Sequence, residues 1–315
     1  MNNQVMTSKP SIFLSVVIPV FQSEAGLEEL IDRLKRALSA ISSEVELILV
    51  DDGSKDRSWD IIRNAANKDD FINGLRFSRN FGQHQAIFAG LELAQGEWIV
   101  VMDADLQDLP EEIPMMLTKA QLGYDAVLAR RMDKKAIWFS KVLTIIYYKF
   151  FYFMSGINQD PSIGNFGVYN KKVIQEVLQM KETNWYFPTM VHWVGFKQST
   201  LNVKHGASSN QHSNYFFKSK FHLGLNTLLA FSDKPLRLTI KLGLIIALIG
   251  FLFALVTLIR YFSGTIVVPG YASIIISLWI LFGLLLTTIG IVGLYVGKTF
   301  EGVKNRPRYI VDQKT

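Results

Sequence analysis

Residues 98–108 read WIVVMDADLQD, and this stretch predicts both a buried strand and a site at its end. The apolar run Trp98–Met102 is followed at once by Asp103 and Asp105. A short, continuous apolar run is typical of a strand buried on both faces, as in a parallel sheet covered by helices. Ligands of such sheets bind beyond the carboxyl ends of the strands. The stretch therefore predicts an α/β fold with polar chemistry at Asp103 and Asp105.

The sequence on both sides of this stretch repeats the alternation of strands and helices. Short apolar runs predict strands, and stretches with apolar residues at helical spacing separate them. The predicted strands are 14–20, 46–50, 74–77, 98–102 and 126–129, and the predicted helices are 27–38, 58–66, 83–94 and 110–122. This alternation predicts an α/β domain with a buried parallel sheet.

A second acidic strand end strengthens the prediction of a site. The strand at 46–50 stops at Asp51-Asp52-Gly53-Ser54, so parallel strands would bring these carboxylates to the edge that carries Asp103 and Asp105. An ordinary solvated turn explains either motif alone. Convergence of several carboxylates is costly without a partner, and it favours a bound Mg²⁺ or Mn²⁺ or hydrogen bonds to a ribose and base. Gln107 offers a further neutral oxygen.

Composition excludes several function classes. The chain has 315 residues, no cysteine and a formal net charge of +6, so disulfides, thiolate zinc sites and cysteine nucleophiles are absent. No H-E-x-x-H zinc motif, G-x-G-x-x-G fingerprint or P-loop occurs. No basic run is interleaved with aromatic residues, so we expect no nucleic-acid partner. The excess of basic residues instead suits anionic lipid head groups or phosphorylated substrates.

The C-terminal part of the sequence predicts a membrane anchor. Residues 242–259 and 271–297 carry no charge, and each run is long enough to cross a bilayer core of about 30 Å. Basic residues flank the pair on both outer sides, which places both ends in the cytoplasm and Arg260 on the far side. The aromatic segments 137–155 and 214–232 contain lysines and suit interfacial amphipathic helices, with a core helix as the alternative for 137–155.

The apolar run 12–20 lacks a signal-peptide cleavage site and is interpreted as the first strand.

Taken together, these motifs resemble glycosyltransferase family 2, which has a Rossmann-like GT-A fold with a mostly parallel sheet. The resemblance rests on four stretches and on a tail, and it covers nearly the whole chain: residues 16–21 (VVIPVF) with Glu24, residues 51–56 (DDGSKD), residues 78–83 (SRNFGQ), residues 102–111 (MDADLQDLPE) and residues 306–309 (RPRY). The last three are similar to the subgroup of dolichol-phosphate mannose synthase and bacterial polyprenyl-phosphate glucosyltransferases. No Q-x-x-R-W motif of processive synthases is present.

The resemblance implies roles for individual residues. Those that line or contact the donor nucleotide would be Pro19, Phe21, Glu24, Asp52, Asp103 and Arg79. Asp105 and Gln107, with Asp103, would hold Mg²⁺ or Mn²⁺, and Asp103 and Asp105 would be the catalytic pair. For Arg79, a structural salt bridge is an equal alternative to a contact with the diphosphate or sugar.

Two departures from the subgroup concern the acceptor. The subgroup often shows a G-D-F stretch, whereas this chain has Asn165, whose amide cannot act as a base. The usual basic stretch near Lys204 is also altered, so Arg130, Arg131 and Lys204 are the candidate cations for an acceptor phosphate, against a solvated surface as the alternative. A phosphate monoester is largely dianionic at neutral pH and is already nucleophilic, so such an acceptor needs no base.

The sequence thus predicts an inverting, metal-dependent transfer of a sugar from a nucleoside diphosphate to undecaprenyl or a related polyprenyl phosphate, for envelope or surface-glycan synthesis. The alternatives are transfer to a hydroxyl of a lipid-linked glycan and a non-catalytic membrane scaffold. We predict a GT-A domain at 1–205, a juxtamembrane segment at 206–235, transmembrane helices at 238–260 and 271–297, and a cytosolic tail at 298–315. Family resemblance implies a homo-tetramer in the inner membrane, with the catalytic domain and both termini cytoplasmic.

Overall fold

A computed structural model gives the fold of residues 12–42, 44–131, 162–181, 185–204, 206, 270–304 and 306–315, with isolated positions between 239 and 263. The chain divides into two units. One contains Met1–Tyr148, Ile157–Phe217 and Arg306–Thr315, and the other contains Lys149–Gly156 and Lys218–Asn305.

The first unit contains a mixed sheet covered by helices. Its strands are β1 (Leu14–Val20), β2 (Val45–Asp51), β3 (Ile72–Phe77), β4 (Trp98–Val101), β5 (Ala126–Arg131), β6 (Ile163–Asn170), β7 (Gln198–Val203) and β8 (Val311–Lys314). Its helices are α1 (Glu24–Ser39), α2 (Ser58–Ala66), α3 (Gln83–Leu93), a 3₁₀ turn (Pro110–Glu112), α4 (Ile113–Gln121), α5 (Lys171–Gln179) and α6 (Phe187–Trp193). The strands lie in the order β7-β5-β6-β4-β1-β2-β3-β8.

Strand direction places the loops that matter on one edge. β1 is parallel to β2 and β4, β2 is parallel to β3, and β5 is parallel to β7. β6 is antiparallel to both β4 and β5, so β5 and β7 run in the same direction as β1 to β4. The carboxyl ends of all strands except β6 and β8 therefore share one edge, which we call the carboxyl rim. β6 begins at this rim because it runs the opposite way.

Helix α1 shows why the sequence folds in this way. Its apolar positions at spacings of three and four, among them Leu27, Leu30 and Leu34, are fully buried against the sheet. All seven residues of β1 are buried as well. Burying each such leucine contributes roughly 1.5–3 kcal/mol before the conformational entropy that opposes it. The apolar residues of β1 and the apolar face of α1 thus pack together in one hydrophobic core.

The predicted α/β class with a mostly parallel sheet is confirmed. Each predicted strand and helix between 14 and 129 is present with ends within two or three residues, and α2 matches its predicted range. The prediction of one helix at 110–122 differs, because a 3₁₀ turn precedes α4 there. The strands β6 and β8 add two antiparallel members that the apolar runs did not indicate.

The second unit contains helix α7 (Tyr271–Val303), 33 residues long, which includes the predicted transmembrane segment 271–297. Large apolar side chains along it are exposed, including Ile274, Phe282 and Leu286. Within the described residues, no helix is both long enough and apolar enough to cross a membrane. The predicted helices at 137–155 and 214–232 lie outside the described residues, as does most of 238–260. The membrane hairpin and the predicted domain limits therefore stay predictions.

Candidate active site at the carboxyl rim

Asp52 lies directly after β2 and is held by the neighbouring loop. The N–H groups of Phe81 and Gly82 donate to its two carboxylate oxygens, at 2.6 and 2.9 Å. The Asp52 N–H donates to Val20 O at the end of β1, at 2.8 Å. Burial raises the pKa of Asp52, while the two N–H donors oppose that rise. Asp52 thus connects the ends of β1 and β2 to the loop at residues 78–82.

Gly53 allows this loop to approach closely. Its φ of +68° is strained for other residues, and a Cβ placed on it would lie 2.5 Å from the carbonyl carbon of Arg79. The preceding Asp51 is fully buried, with Arg76 Nε 3.4 Å from its Oδ2 and the Ser54 N–H donating to its Oδ1 at 3.1 Å. Burial raises the pKa of Asp51 as well. Asp51 is therefore part of the supporting structure, and Asp52 is the member of the pair that faces the loop.

Asp103 is positioned by two side-chain amides. Gln83 Nε2 donates to Asp103 Oδ1 at 2.8 Å, and Asn165 Nδ2 donates to the same oxygen at 3.1 Å. Gln83 is the first residue of α3, and Asn165 lies near the start of β6, which is at the carboxyl rim because β6 runs against β4. Donors directed at one oxygen favour the ionised carboxylate and fix its orientation.

Asp105 and Gln107 lie in the turn that follows Asp103. Asp105 is exposed, and its Oδ1 accepts the Gln107 N–H at 3.0 Å. Leu106 between them has a φ of +59°, an unusual conformation for a non-glycine residue. Such strained turns cluster at ligand sites, and this one leaves the Asp105 carboxylate open to solvent at the rim.

The acidic residues of the rim do not form a complete protein metal cage. No group of three or more His, Asp or Glu side chains suited to a metal ion occurs within the described residues. Asp103 and Asp105 supply two carboxylates and Gln107 one amide oxygen. This hard-oxygen set suits Mg²⁺ or Mn²⁺, because Mg²⁺ is usually bound by one or two carboxylates together with substrate phosphates and waters.

The other predicted donor residues lie around the end of β1. Pro19 is buried within β1, and Phe21 just beyond it is 45% exposed. The carboxylate of Glu24 accepts the Arg57 N–H at 2.9 Å, at the start of α2. Arg79 is exposed, and its guanidinium carbon lies 4.1 Å from the centre of the Phe81 ring. One guanidinium nitrogen of Arg79 also donates to Asn80 O at 3.1 Å, and within the described residues Arg79 forms no salt bridge.

The candidate acceptor cations end neighbouring strands of the same rim. Arg130 and Arg131 end β5, and exposed Lys204 follows β7, where Arg131 pairs with Val203 in parallel register. The exposed Arg130 donates from Nε to Ser162 Oγ at 3.3 Å. Only β6 separates β5 from β4, so Arg130 and Arg131 start about 10 Å across the sheet from the strand that ends at Asp103, and Lys204 starts one strand further away.

The segment after β7 also contacts the acidic turn directly. The Gly206 N–H donates to Gln107 O at 2.9 Å, and a Cβ at Gly206 would lie 2.5 Å from Leu106 O. The acidic turn and the basic strand ends are therefore joined by a backbone contact. The arrangement places acidic and basic residues on the same rim.

The sequence motifs did not indicate that Gln83, His84 and Asn165 belong to this site. Gln83 falls inside a quoted motif but received no role, and Asn165 was considered only as a lost acid. His84 follows Gln83, and its ring packs edge-on against Tyr186 with centroids 4.7 Å apart. Burial lowers the pKa of His84 to about 4, and its buried Nδ1 has no hydrogen-bond partner within the described residues. Only the strand direction of β6 reveals that Asn165 meets Asp103.

The sheet is mixed, and helices cover it. An Asp-Ala-Asp turn follows its central strand β4, and a second acidic turn follows β2 on the far side of β1. These features define a GT-A-like fold. Residues 15–178 match the family described as Glycosyl transferase family 2, and the chain belongs to that family. It is therefore a glycosyltransferase. The family assignment made from the motifs is confirmed.

Relatives along the full length agree with this assignment. The chain is 33% identical over 307 residues to the undecaprenyl-phosphate 4-deoxy-4-formamido-L-arabinose transferase of Proteus mirabilis, covering 95% of this chain and 93% of that protein. It is 31% identical over 307 residues to the prophage bactoprenol glucosyl transferase homolog of Escherichia coli, covering 95% and 98%. The likeness therefore extends well beyond the catalytic domain.

A solved structure supports the fold alone. The crystal structure of glucosyl-3-phosphoglycerate synthase from Mycobacterium tuberculosis superposes with a TM-score of 0.51 at 15% identity, covering 70% of this chain and 80% of that chain.

Proposed function

We propose that this glycosyltransferase transfers a sugar, with inversion, from a nucleoside diphosphate to a polyprenyl phosphate, undecaprenyl phosphate in a bacterial inner membrane. The observation that carries the proposal is the pairing on one rim of an acidic turn, Asp103 to Gln107, with the basic strand ends at Arg130, Arg131 and Lys204. Two full-length relatives are named for undecaprenyl phosphate or bactoprenol, which supports the lipid acceptor.

On the donor side, the nucleotide would lie over the ends of β1 and β2. Pro19, Phe21 and Glu24 would line this pocket, and Asp52 would meet the base or ribose. Arg79 is exposed beside the Phe81 ring and would contact the diphosphate. Asp103 would contact the ribose or sugar, with its orientation set by the amides of Gln83 and Asn165.

A divalent cation, Mg²⁺ or Mn²⁺, would be held by Asp105 and Gln107 with Asp103. When bound, it would neutralise charge on the leaving diphosphate. The residues themselves fit this role because they provide hard oxygen ligands and leave room for diphosphate oxygens. The exposed Asp105 carboxylate is the ligand best placed to meet an arriving diphosphate.

A phosphate acceptor would explain why residue 165 can be an amide and need not be a catalytic base. A phosphate oxygen of the lipid would attack the anomeric carbon from the face opposite the nucleotide. The new bond from carbon to phosphate oxygen would form as the bond to the diphosphate breaks, and the nucleoside diphosphate would leave. Because the dianionic phosphate carries no proton at the attacking oxygen, no base is needed. The protein would then contribute by orienting both substrates and by stabilising charge.

Membrane attachment would bring the enzyme to its lipid. The support is the pair of charge-free runs at 242–259 and 271–297 and the exposed apolar side chains of α7. Residues 306–315 belong to the same unit as the catalytic sheet, so the chain leaves that unit and returns to it. This supports an even number of membrane crossings, with the catalytic domain and the C terminus both cytoplasmic.

A transfer assay tests the proposal. Purified full-length protein in detergent with Mg²⁺ or Mn²⁺, undecaprenyl phosphate and a panel of nucleotide-sugars should release nucleoside diphosphate and yield a lipid-phosphate sugar with one donor. Asp105→Ala should lower turnover by at least about 100-fold, because charge stabilisation of the leaving group is lost. Asp70→Ala is the matched control, since Asp70 is exposed and precedes β3 at the opposite edge of the sheet. Equal turnover in both variants would refute the assigned site.

A further inference from the structure

Residues 306–315 belong to the catalytic unit, and Val311–Lys314 among them form an edge strand of its sheet. β8 pairs antiparallel with β3, with Arg76 opposite Gln313 and Phe77 opposite Val311. Two side-chain bonds fix the end of the strand: Trp59 Nε1 donates to Gln313 Oε1 at 2.7 Å, and the Gly74 N–H donates to Thr315 Oγ1 at 2.7 Å. This segment, residues 306–315, is called the C-terminal clasp below.

Arg308 and Tyr309 at the start of the clasp contact α3 and the end of β3. The Tyr309 ring stacks on Phe77 at 4.8 Å with 18° between the ring planes, and its hydroxyl donates to Glu92 Oε2 at 2.5 Å. Arg308 Nη2 donates to Met180 O at 2.6 Å, and the guanidinium lies 4.2 Å from the Phe88 ring centre. Burial, with the bond to Glu92, raises the pKa of Tyr309 above its ordinary value.

These contacts lead to the loop that holds Asp52. The Ser78 N–H donates to Ile310 O at 3.0 Å, directly after β3. Phe77, on which Tyr309 stacks, also packs edge-on against Phe81 with ring centres 5.7 Å apart. Phe81 in turn donates its N–H to Asp52 and lies beneath Arg79. The loop at 78–82 is thus held between Asp52 on one side and the clasp on the other.

We propose that Tyr309, at the start of the C-terminal clasp, positions the 78–82 loop and thereby sets the affinity of the donor site for its nucleotide diphosphate. The proposal rests on the donor pocket assigned above. Tyr309 is a positioning residue, because it acts through Phe77 and Phe81 and contacts no substrate. Loss of its ring would leave Phe77 without its stacking partner and able to shift against Phe81, so Asp52 and Arg79 would no longer hold their relative placement.

Nucleotide affinity in the full-length protein tests this inference independently of the acceptor. Binding of UDP and GDP is measured by calorimetry with Mn²⁺, well below the thermal midpoint of each variant. Tyr309→Ala should weaken binding of the preferred nucleotide about tenfold, a loss equal to that of an aromatic pair. Tyr309→Phe keeps the stack on Phe77 and should stay within about twofold of the wild type.

Two further variants separate positioning from general stability. Thr315→Val removes the side-chain hydroxyl that accepts the Gly74 N–H, at the end of the clasp away from the 78–82 loop. This variant should lower the thermal midpoint and leave nucleotide affinity unchanged. Tyr309→Leu keeps apolar volume without a ring and serves if the alanine variant does not fold; it should also weaken binding. Wild-type affinity in Tyr309→Ala or Tyr309→Leu would overturn the inference alone. A wild-type protein that binds neither nucleotide would overturn the donor site and the inference together.

Discussion

Asp103 illustrates how single residues of the rim depend on their neighbours. Its Oδ1 accepts from Gln83 and from Asn165, so two neutral amides surround a carboxylate that must stay ionised to meet a metal ion or a ribose. An acid in place of Asn165 would put two carboxyl groups within about 3 Å, where both cannot readily ionise. The amide therefore suits an enzyme whose acceptor needs no base.

Exchanging the amide should reveal this dependence. We expect nucleotide affinity in the presence of Mn²⁺ to decrease in the order wild type, Asn165→Ala, Asn165→Asp. The alanine variant loses one donor, whereas the aspartate variant adds repulsion and raises the apparent pKa of the pair with Asp103. Calorimetry at pH 7 measures the order. Tighter binding by Asn165→Asp would mean that the position contributes a metal ligand, which contradicts our assignment.

His84 predicts a pH dependence of stability. Burial lowers its pKa to about 4, so the folded state keeps a neutral ring where the unfolded chain, with a pKa of about 6.5, takes up a proton. Its contribution to stability is complete above pH 6.5 and is lost as the pH falls toward 4, by at most about 1.4 kcal/mol per pH unit. Denaturant unfolding of the wild type and His84→Gln should therefore diverge across this window. Parallel curves would show that the ring titrates normally.

At the scale of elements, five strands of the sheet could be predicted from the sequence, but β6, β7 and β8 could not. Buried strands such as β1 and β4 are largely apolar runs, which can be recognised from the sequence without knowledge of their neighbours in the sheet. β8 reads Val-Asp-Gln-Lys and is exposed along its length, so its partner β3 determines it rather than its own composition. β6 reads Ile-Gly-Asn-Phe-Gly-Val-Tyr-Asn, and Gly164 and Gly167 interrupt the apolar run that would indicate a strand. Asn165 and the clasp were missed for this reason.

The turn between β2 and α2 gives a prediction at this scale. Gly53 and Gly123 both have positive φ, of +68° and +96°, but only Gly53 lies against backbone, since the nearest atom to a Cβ on Gly123 is 3.9 Å away. Gly123→Ala should cost on the order of 1 kcal/mol from strain alone. Gly53→Ala should cost more and also lose nucleotide affinity, because the 78–82 loop must move. Equal thermal and binding effects in the two variants would argue against a close-packed loop.

For the whole molecule, the central point is that the chain returns to its catalytic unit. Met1–Tyr148, Ile157–Phe217 and Arg306–Thr315 belong to one unit, and Lys218–Asn305 of the other unit contains both charge-free runs. The positive flanks of the two runs predict that both outer ends lie in the cytoplasm, and this orientation stays a prediction. The charge-free runs could be recognised without a fold, whereas the pairing of the C terminus with β3 could not.

Cysteine labelling tests this topology on a chain that has no cysteine of its own. In intact cells, a membrane-impermeant maleimide should label Arg260→Cys, in the predicted far-side turn, and should not label Asp312→Cys, which is exposed on β8. Lysis should make Asp312→Cys reactive. Labelling of both positions in intact cells, or of Asp312→Cys alone, would contradict the cytoplasmic placement of the C terminus.

The most direct test of the central claim compares two acceptors that differ in one group. Undecaprenyl phosphate and undecaprenol are supplied separately with the active nucleotide-sugar and Mn²⁺, and products are identified by mass spectrometry. We predict a sugar phosphodiester from the phosphate and no product from the alcohol, because the rim offers cations for a phosphate and an amide where a base would be required. Glycosylation of undecaprenol at a comparable rate, or transfer only to a hydroxyl of a lipid-linked glycan, would contradict the account.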